Sequence, residues 1–441
     1  GTEVLVSDVD TSWVRDPRPF LTDPSQAPAQ ADFSVSTDCL SNKEYETGDG
    51  CINRDLNTGV LHLRSTNQTI SFLESWRDGL LQPRDKFEND QGVFNRVLRA
   101  RLRPRHGVQA RNGSLVSISS KFSISLLPVT TFAGGHVFFA QQLPQRLGQT
   151  PFVVHTTYQF SHVNGKRQRL REHGLWYRDP PEYYNPAGSM FITFDPSLPP
   201  QLQRAMAQLS LIEKHMRAAA FYRLSVRNAL AVAQALGRIL IVPAFQCFCD
   251  RWWGNALPEC IIPGSDQVLP YQCPMDHLFY LPHWADLPFR EHSFLDNPGV
   301  PPHVRDSIAQ VHVRSAPRRT SAAPPSSPSA AVVHEGLTDA QLQAALSPLN
   351  GTHVLNFTST AMLFCRFEKH EENIAFDQRM EIVLKAEVWF CANQPRGRSC
   401  TIGYDRPPPL SGVDCASRGP QKWSDLFTVE QLEGKKVCQG C

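Results

Sequence analysis

Two aspartates stand one residue apart in VLVSDVDTSWVRDP, residues 4–17: Asp8 and Asp10 come directly after the apolar run Val4-Leu5-Val6 and Ser7. That run reads as a buried strand. Near a strand end, residues i and i+2 project to the same side, so the two carboxylates can converge. Like charges held so close repel unless a cation lies between them. Hard oxygen donors select Mg²⁺, Mn²⁺ or Ca²⁺ over softer metals. A surface turn in which Asp8 caps the next element is the plainer alternative.

Four further stretches carry groups that could act on a polar substrate. Asn57-Thr58-Gly59 leads into a strand, where Asn and Gly ordinarily make a turn. Asp90-Gln91 opens a helix that continues to Asn95, and Asp90 is a natural helix cap. His155 ends a strand and is followed by Gly165-Lys166 in a loop, while Gly134, Gly135 and His136 form another loop ahead of it. Taken alone, His155 is more often a hydrogen-bonded core histidine than a ligand.

The elements that must position these residues are of α/β type. Residues 59–65 alternate like a strand, and residues 68–81 have helical spacing with Phe72, Trp76 and Leu80 on one side. Residues 122–132 and 151–160 give two more strands, so residues 1–195 form a first α/β domain. A second α/β domain is expected over 196–395. It holds a long helix that gives way to a buried strand near residue 238, and a disordered Pro/Ser/Ala-rich insertion at 315–333. Residues 396–441 read as a Cys-rich tail of loops.

At 441 residues the chain is too long for one ordinary core. Its net charge of +2 demands no nucleic-acid partner, and no apolar run is long enough to span a membrane. The basic stretch 96–111 could meet phosphate or an acidic polysaccharide, but a solvated helix end fits it better. The twelve cysteines fall into even local groups: Cys39 and Cys51; Cys247, Cys249, Cys260 and Cys273; and six from Cys365 onward. Even groups suit disulfides, and sequons at Asn67, Asn112, Asn350 and Asn356 fit a secretory route. Zinc at Cys247, Cys249, Cys260 and Cys273 is the rival reading. The chain starts with Gly1 and enters a strand almost at once, from which we expect a piece of a longer protein.

In chain order the motifs run D-x-D, N-x-G, D-Q-x-x-x-N and H-x(n)-G-K. That series resembles the retaining GT-A glycosyltransferases, which use a nucleotide-sugar donor and a divalent metal. The stretches SDVDTSWVRDP, STDCL, NTGVLHLR, DQGVFN, VVHTTYQF, GKRQRLRE and DPPEYY are similar to the nucleotide-diphospho-sugar transferase domain of glycosyltransferase family 77. Within that family, RNALAVAQALGRILIVPAFQCFCDRWW, CPMDHLF and REHSFLDNP resemble the plant and algal extensin arabinosyltransferases. The resemblance covers residues 1–300 and becomes loose in the tail.

The resemblance implies a GT-A fold lacking its first, uridine-binding βαβ half. A membrane anchor would lie in the missing N-terminal part, and the full-length protein would reside in the Golgi lumen. It implies metal ligands Asp8, Asp10 and His155 for Mn²⁺ or Mg²⁺. It also implies donor contacts from Asn57, Gly59, Gly165 and Lys166, with Asp90 and Gln91 at the reacting centre. The reaction would move arabinofuranose from UDP-β-L-arabinofuranose to arabinosylated hydroxyproline in an extensin-like, hydroxyproline-rich wall glycoprotein. This chain alone is expected to be inactive. Trp13, Trp176, Tyr177, Tyr183 and Tyr184 are candidates to line the acceptor groove. The rival readings are a xylosyl- or galactosyltransferase of a wall polysaccharide, or a non-catalytic sugar-binding protein of the secretory route. A local site at Cys273, Asp276 and His277 is another alternative, for which packing and a disulfide form the plainer account.

Overall fold

The computed structural model describes residues 2–41, 51–102, 109–111, 115–119, 122–252, 255–256, 259–315, 330–385, 389–391, 401–402 and 410. The chain divides into two compact units, Gly1–Gln159 with Ile261–Val268, and Phe160–Cys260 with Leu269–Cys441. The first unit is thus discontinuous: the chain leaves it and returns for a short stretch, where the Ser41 hydroxyl donates to the Gly264 carbonyl at 2.9 Å.

The first unit begins with β1 (Val4–Ser7), β2 (Thr11–Trp13), β3 (Phe33–Thr37) and β4 (Leu56–Leu63). Two helices come next, α1 (Asn67–Leu81) and α2 (Asp90–Leu102). The strands β5 (Gln109–Arg111), β6 (Leu115–Ser119), β7 (Phe122–Leu126), β8 (Phe132–Gly134) and β9 (Val153–His155) complete it. Six strands make a mixed sheet in the order β1-β4-β3-β7-β6-β5, and β2-β9-β8 make a second, small sheet. The large sheet is covered by the two helices. Thr66 caps α1 by accepting from the Thr69 N–H, and Phe72 then faces the sheet. Phe33, Phe72 and Phe94 form the centre of the core, with ring centroids 5.0 and 5.1 Å apart along that series.

Two expectations are corrected. Leu80, placed on the inner face with Phe72, is 44% exposed. Close packing of α1 on α2 occurs instead at Gly79, where a Cβ would stand 2.7 Å from Val93 Cγ1. The run Val4-Leu5-Val6 is a strand, but an exposed one, because β1 pairs with β4 on one side and forms the edge of its sheet.

The second unit opens with α3 (His162–Glu172), β10 (Phe191–Phe194) and α4 (Leu211–Leu236), followed by β11 (Ile239–Ile241) and β12 (Phe245–Cys247). Later strands are β13 (Tyr271–Cys273), β14 (Phe289–Arg290), β15 (Ile308–Arg314), β16 (Ala330–His334) and β17 (Val354–Phe357). Six of them form an all-parallel sheet in the order β14-β11-β10-β17-β15-β16. The expected long helix is α4. It starts at a capping box between Ser210 and Glu213 and stops at Gly237, whose φ of 62° suits glycine. The α/β reading therefore holds in both units.

The sequence reading sets the first boundary at residue 195, whereas the contacts set it at 159, because β10 pairs with β11 and β17 of the second sheet. Of the Pro/Ser/Ala-rich stretch, residues 316–329 lie outside the described residues, and its last four belong to β16. The Cys-rich tail lies outside them as well, apart from residues 401–402 and 410.

Disulfides join Cys39 to Cys51, Cys247 to Cys273 and Cys249 to Cys260. The four cysteines of the zinc alternative are therefore consumed in pairs. The described part of the basic stretch is tied into the unit itself. Arg96 pairs with Glu88, Arg99 with Asp55, and Arg101 donates to Ser71 and Ser75.

Candidate metal and donor site

Asp8 and Asp10 flank the turn between β1 and β2, and backbone pairing on both sides fixes that turn. The Asp8 N–H donates to the Gly59 carbonyl at 2.9 Å, and the Asp10 carbonyl accepts from the Thr156 N–H at 3.1 Å. Antiparallel pairing of β2 with β9 sets Thr11 opposite His155. His155 Nε2 consequently lies 3.5 Å from Asp8 Oδ2 and 3.3 Å from Asp10 Oδ1. One ligand atom from each of the three falls within 4.8 Å of the others. Two carboxylate oxygens and one imidazole nitrogen suit Mn²⁺ or Mg²⁺. The side chain of Asp8 is 55% exposed and that of His155 10%, so the trio is open on one side and walled on the other.

The wall behind His155 is Gly59. A Cβ there would lie 2.2 Å from His155 Cε1 and 2.5 Å from Nδ1, so the glycine provides the space the imidazole occupies. The Gly59 N–H donates to Asn57 Oδ1 at 2.8 Å, which explains why asparagine and glycine stand two apart.

A second cluster adjoins this one through Asn57, and its hub is Asp38, the aspartate of the STDCL stretch, to which the sequence reading gave no role. Asn57 Nδ2 donates to Asp38 Oδ1 at 2.9 Å, and Gln91 Nε2 donates to Asp38 Oδ2 at 3.0 Å. Gln91 Oε1 in turn accepts from the Thr58 N–H at 3.3 Å. The Thr58 hydroxyl stands 3.5 Å from Asp90 Oδ2. The Trp76 indole N–H holds the Asp90 carbonyl at 3.0 Å. Burial pushes the Asp38 carboxyl above its ordinary range, and the two amide bonds oppose that rise. The Cys39–Cys51 disulfide anchors the segment just after it. Two signals in the sequence pointed to it: the STDCL stretch itself, and its position, since Asp38 follows strand β3 as Asp8 follows β1.

Residues 1–170 match the nucleotide-diphospho-sugar transferase family. The chain is also 31% identical over 407 residues to the arabinosyltransferase XEG113 of Arabidopsis thaliana, a match that covers 89% of this chain and 61% of that protein. Both findings bear out the resemblance drawn from the motifs. A second relative, the UDP-galactose:fucoside alpha-3-galactosyltransferase of Dictyostelium discoideum, is 27% identical over 183 residues, 40% of this chain and 26% of its own length. The chain thus spans about three-fifths of the first relative and a quarter of the second. No solved structure matches it.

Within the transferase-family segment, the first unit brings together Asp8, Asp10, His155, Asn57, Gly59, Asp90 and Gln91. Asn95 serves the scaffold, bonding both the N–H and the carbonyl of Leu56. Gly134 ends β8, and Gly135 donates to Thr157 Oγ1 at 2.9 Å where a Cβ would meet the Thr157 carbonyl at 2.1 Å. His136 is buried, with Nδ1 3.0 Å from Gln141 Nε2. Gly165 and Lys166 fall in the second unit, on α3 and not in the expected loop.

The aromatic candidates divide by packing. Trp13 packs against the cluster of Phe132 and Phe152, and Tyr183 and Tyr184 against that of Phe294. Trp176 is half-buried under Arg167, while Tyr177 is exposed. Asp276 pairs with buried Arg169 at 2.9 Å, His277 Nδ1 meets the Tyr271 hydroxyl at 2.9 Å, and Cys273 is in a disulfide. Packing accounts for that local cluster.

Proposed function

We propose that this chain serves a retaining, metal-dependent glycosyltransferase that moves arabinofuranose from UDP-β-L-arabinofuranose to arabinosylated hydroxyproline of extensin-like wall glycoproteins. The observation that carries the reading is the convergence of Asp8, Asp10 and His155 on one point, in a segment that matches the transferase family. The Arabidopsis relative is an arabinosyltransferase, which supports arabinose as the sugar. The acceptor, residence in the Golgi lumen and a membrane anchor in the full-length protein belong to the same proposal. Among the described residues no helix is long and apolar enough to cross a membrane.

Asp8, Asp10 and His155 would hold Mn²⁺ or Mg²⁺, which when bound supplies Lewis-acid neutralisation of the departing diphosphate. The chain's own residues do the rest. Asn57 and Gln91, both fixed by Asp38, present oriented amides to the sugar hydroxyls. Lys166 and Gly165 keep the donor-binding role implied by the resemblance, with Lys166 as a fixed positive charge for the diphosphate. Asp90 is exposed at the start of α2, with its carboxylate beside Thr58. There it can attack C1 as the bond from C1 to the UDP oxygen breaks, and the acceptor hydroxyl, giving its proton to the released phosphate, then displaces the carboxylate from the covalent glycosyl intermediate. Alternatively it stabilises charge at C1 while the acceptor hydroxyl enters on the face that UDP leaves. A fully active Asp90→Asn variant would remove it from both roles.

The galactosyltransferase relative favours a second reading, in which the same site takes another UDP-sugar. Both readings are tested on the full-length protein, by UDP release with Mn²⁺ and an arabinosylated hydroxyproline peptide, using UDP-arabinofuranose, UDP-xylose and UDP-galactose in parallel. Turnover with UDP-arabinofuranose alone, abolished by chelator, supports the first reading. Turnover with another donor keeps the site and replaces the sugar. Silence with all three, from a folded protein that binds Mn²⁺, points to a non-catalytic sugar-binding protein.

A further inference from the structure

The second unit contains a cavity of about 570 Å³ whose lining includes Leu198, Lys214, Tyr222, Gln246, Phe248 and Pro270. Leu198 lies in the segment leaving the C-terminal end of β10, and Gln246 and Phe248 in the segment that follows β11. The cavity therefore opens at the carboxyl edge of two neighbouring parallel strands. β10 is also the strand at which the sheet order reverses. Doubly wound sheets take ligands at that edge and near that reversal. The volume lies in the range of small-molecule sites.

The lining has two chemically different ends. Lys214 and Tyr222 both stand on α4, two turns apart on neighbouring faces, roughly 12 Å along the axis. The Tyr222 ring packs 4.9 Å from Phe245, which makes that end aromatic, and Phe248 adds a second ring to the lining. Among the described residues that line the cavity, Lys214 is the one cation and none is acidic. The N-terminus of α4 offers no phosphate cradle, because Glu213 accepts the Ser210 N–H at 3.0 Å and places a carboxylate there. One lysine beside an acid-closed helix end matches a single carboxylate better than a doubly charged phosphate. A single ring is too short to reach both ends.

We propose that this cavity is a second ligand site for an elongated glycan of at least two rings bearing one carboxylate, with a ring against Tyr222 and Phe248 and the carboxylate at Lys214. The cavity and its charge are argued from the second unit alone. The choice of a sugar ring rests on the transferase reading. The test reads binding, in metal-free buffer, so that failure here and failure of sugar transfer are seen separately.

The experiment is isothermal titration of the full chain with cellobiouronate, with neutral cellobiose and with UMP as competitor. Cellobiouronate binds saturably and cellobiose about tenfold more weakly, the factor that one charge-assisted hydrogen bond supplies. Lys214→Met lowers cellobiouronate to the cellobiose level. Gln246→Trp, which fills the cavity from an exposed position, removes both while the circular dichroism and melting curve stay unchanged. The proposal is overturned by an absence of saturation with either disaccharide at millimolar concentration, or by equal affinity for the two. Binding that survives Gln246→Trp, or displacement of cellobiouronate by equimolar UMP, overturns it equally.

Discussion

Replacing Gly59 by alanine adds one methyl group and tests the metal site through its supporting wall. The new Cβ would lie 2.2 Å from His155 Cε1, 2.5 Å from Nδ1 and 2.8 Å from Asn57 Oδ1. Carbon atoms settle at about 3.5 Å or more, so the imidazole must retreat by roughly 1.3 Å. Gly59 does not have a positive φ, so the methyl brings no backbone strain of its own. His155 Nε2 now stands 3.3 and 3.5 Å from the two acid oxygens. Metal–ligand distances tolerate only about 0.2 Å of error, so a retreat of that size removes the imidazole from the ligand set. The expected outcome is a fall of about 10- to 100-fold in Mn²⁺ affinity, the usual effect of losing a ligand's support. UDP release should fall about a hundredfold. Calorimetric Mn²⁺ titration, UDP release across a Mn²⁺ series, and circular dichroism measure the three relevant quantities. The control is the same change in a His155→Ala background, where the methyl has no ring to strike, meets only Asn57 Oδ1, and should cost almost no further Mn²⁺ affinity. Unchanged Mn²⁺ affinity in Gly59→Ala, or full additivity with His155→Ala, would refute the reasoning.

Three other outcomes are expected. Asp8→Asn and Asp10→Asn should each weaken Mn²⁺ binding by at least tenfold and remove most UDP release, and added Mn²⁺ should restore part of it; equal activity with and without chelator would argue against a metal at this point. Asp38→Ala leaves the Asn57 and Gln91 amides without their shared acceptor, which should cost about 1–3 kcal/mol in urea unfolding and lower kcat/KM more than the loss of stability explains; wild-type kcat/KM would make Asp38 a purely structural residue. In the second unit, burial, reinforced by the nearby Asp276 charge, pushes the Glu172 carboxyl up to about 8 from 4.5. The folded state therefore keeps a proton that the unfolded chain releases, so the contribution of Glu172 to stability is largest below pH 4.5, falls as pH rises toward 8, and levels off above it, on the order of a few kcal/mol in all. Glu172→Gln should flatten that slope in urea midpoints measured at pH 5, 7 and 8.5, and an unchanged slope would assign it to another group.

Asp8 and Asp10 were legible because their chemistry is local: two acids at a strand end announce themselves by spacing. The long helix α4 was equally legible, since its cap, its apolar run and the terminating Gly237 all lie within one segment. Asp38 was not. Its partners Asn57 and Gln91 come from β4 and α2, and only folding brings them to one carboxylate. Exposure of the Val4–Val6 run was hidden for a related reason, because an apolar strand reads the same whether it has neighbours on one side or both. The helical placement of Lys166 escaped because Gly165, a turn signal on paper, is accommodated inside α3, where it is buried. The boundary at residue 159 depends on which sheet β10 joins, and local pattern carries no information on that.

The return of Ile261–Val268 to the first unit has a bearing on how the protein is made. A ribosome delivers the chain from its N-terminus, yet the first unit lacks its last segment until about a hundred more residues have emerged. At roughly 5–20 residues per second that interval is of the order of five to twenty seconds. During it the nascent first unit is present with its site residues already synthesised, while Gly264 has yet to reach Ser41. Cys39 and Cys51 are both already made when this interval opens, so their disulfide does not wait for the returning segment.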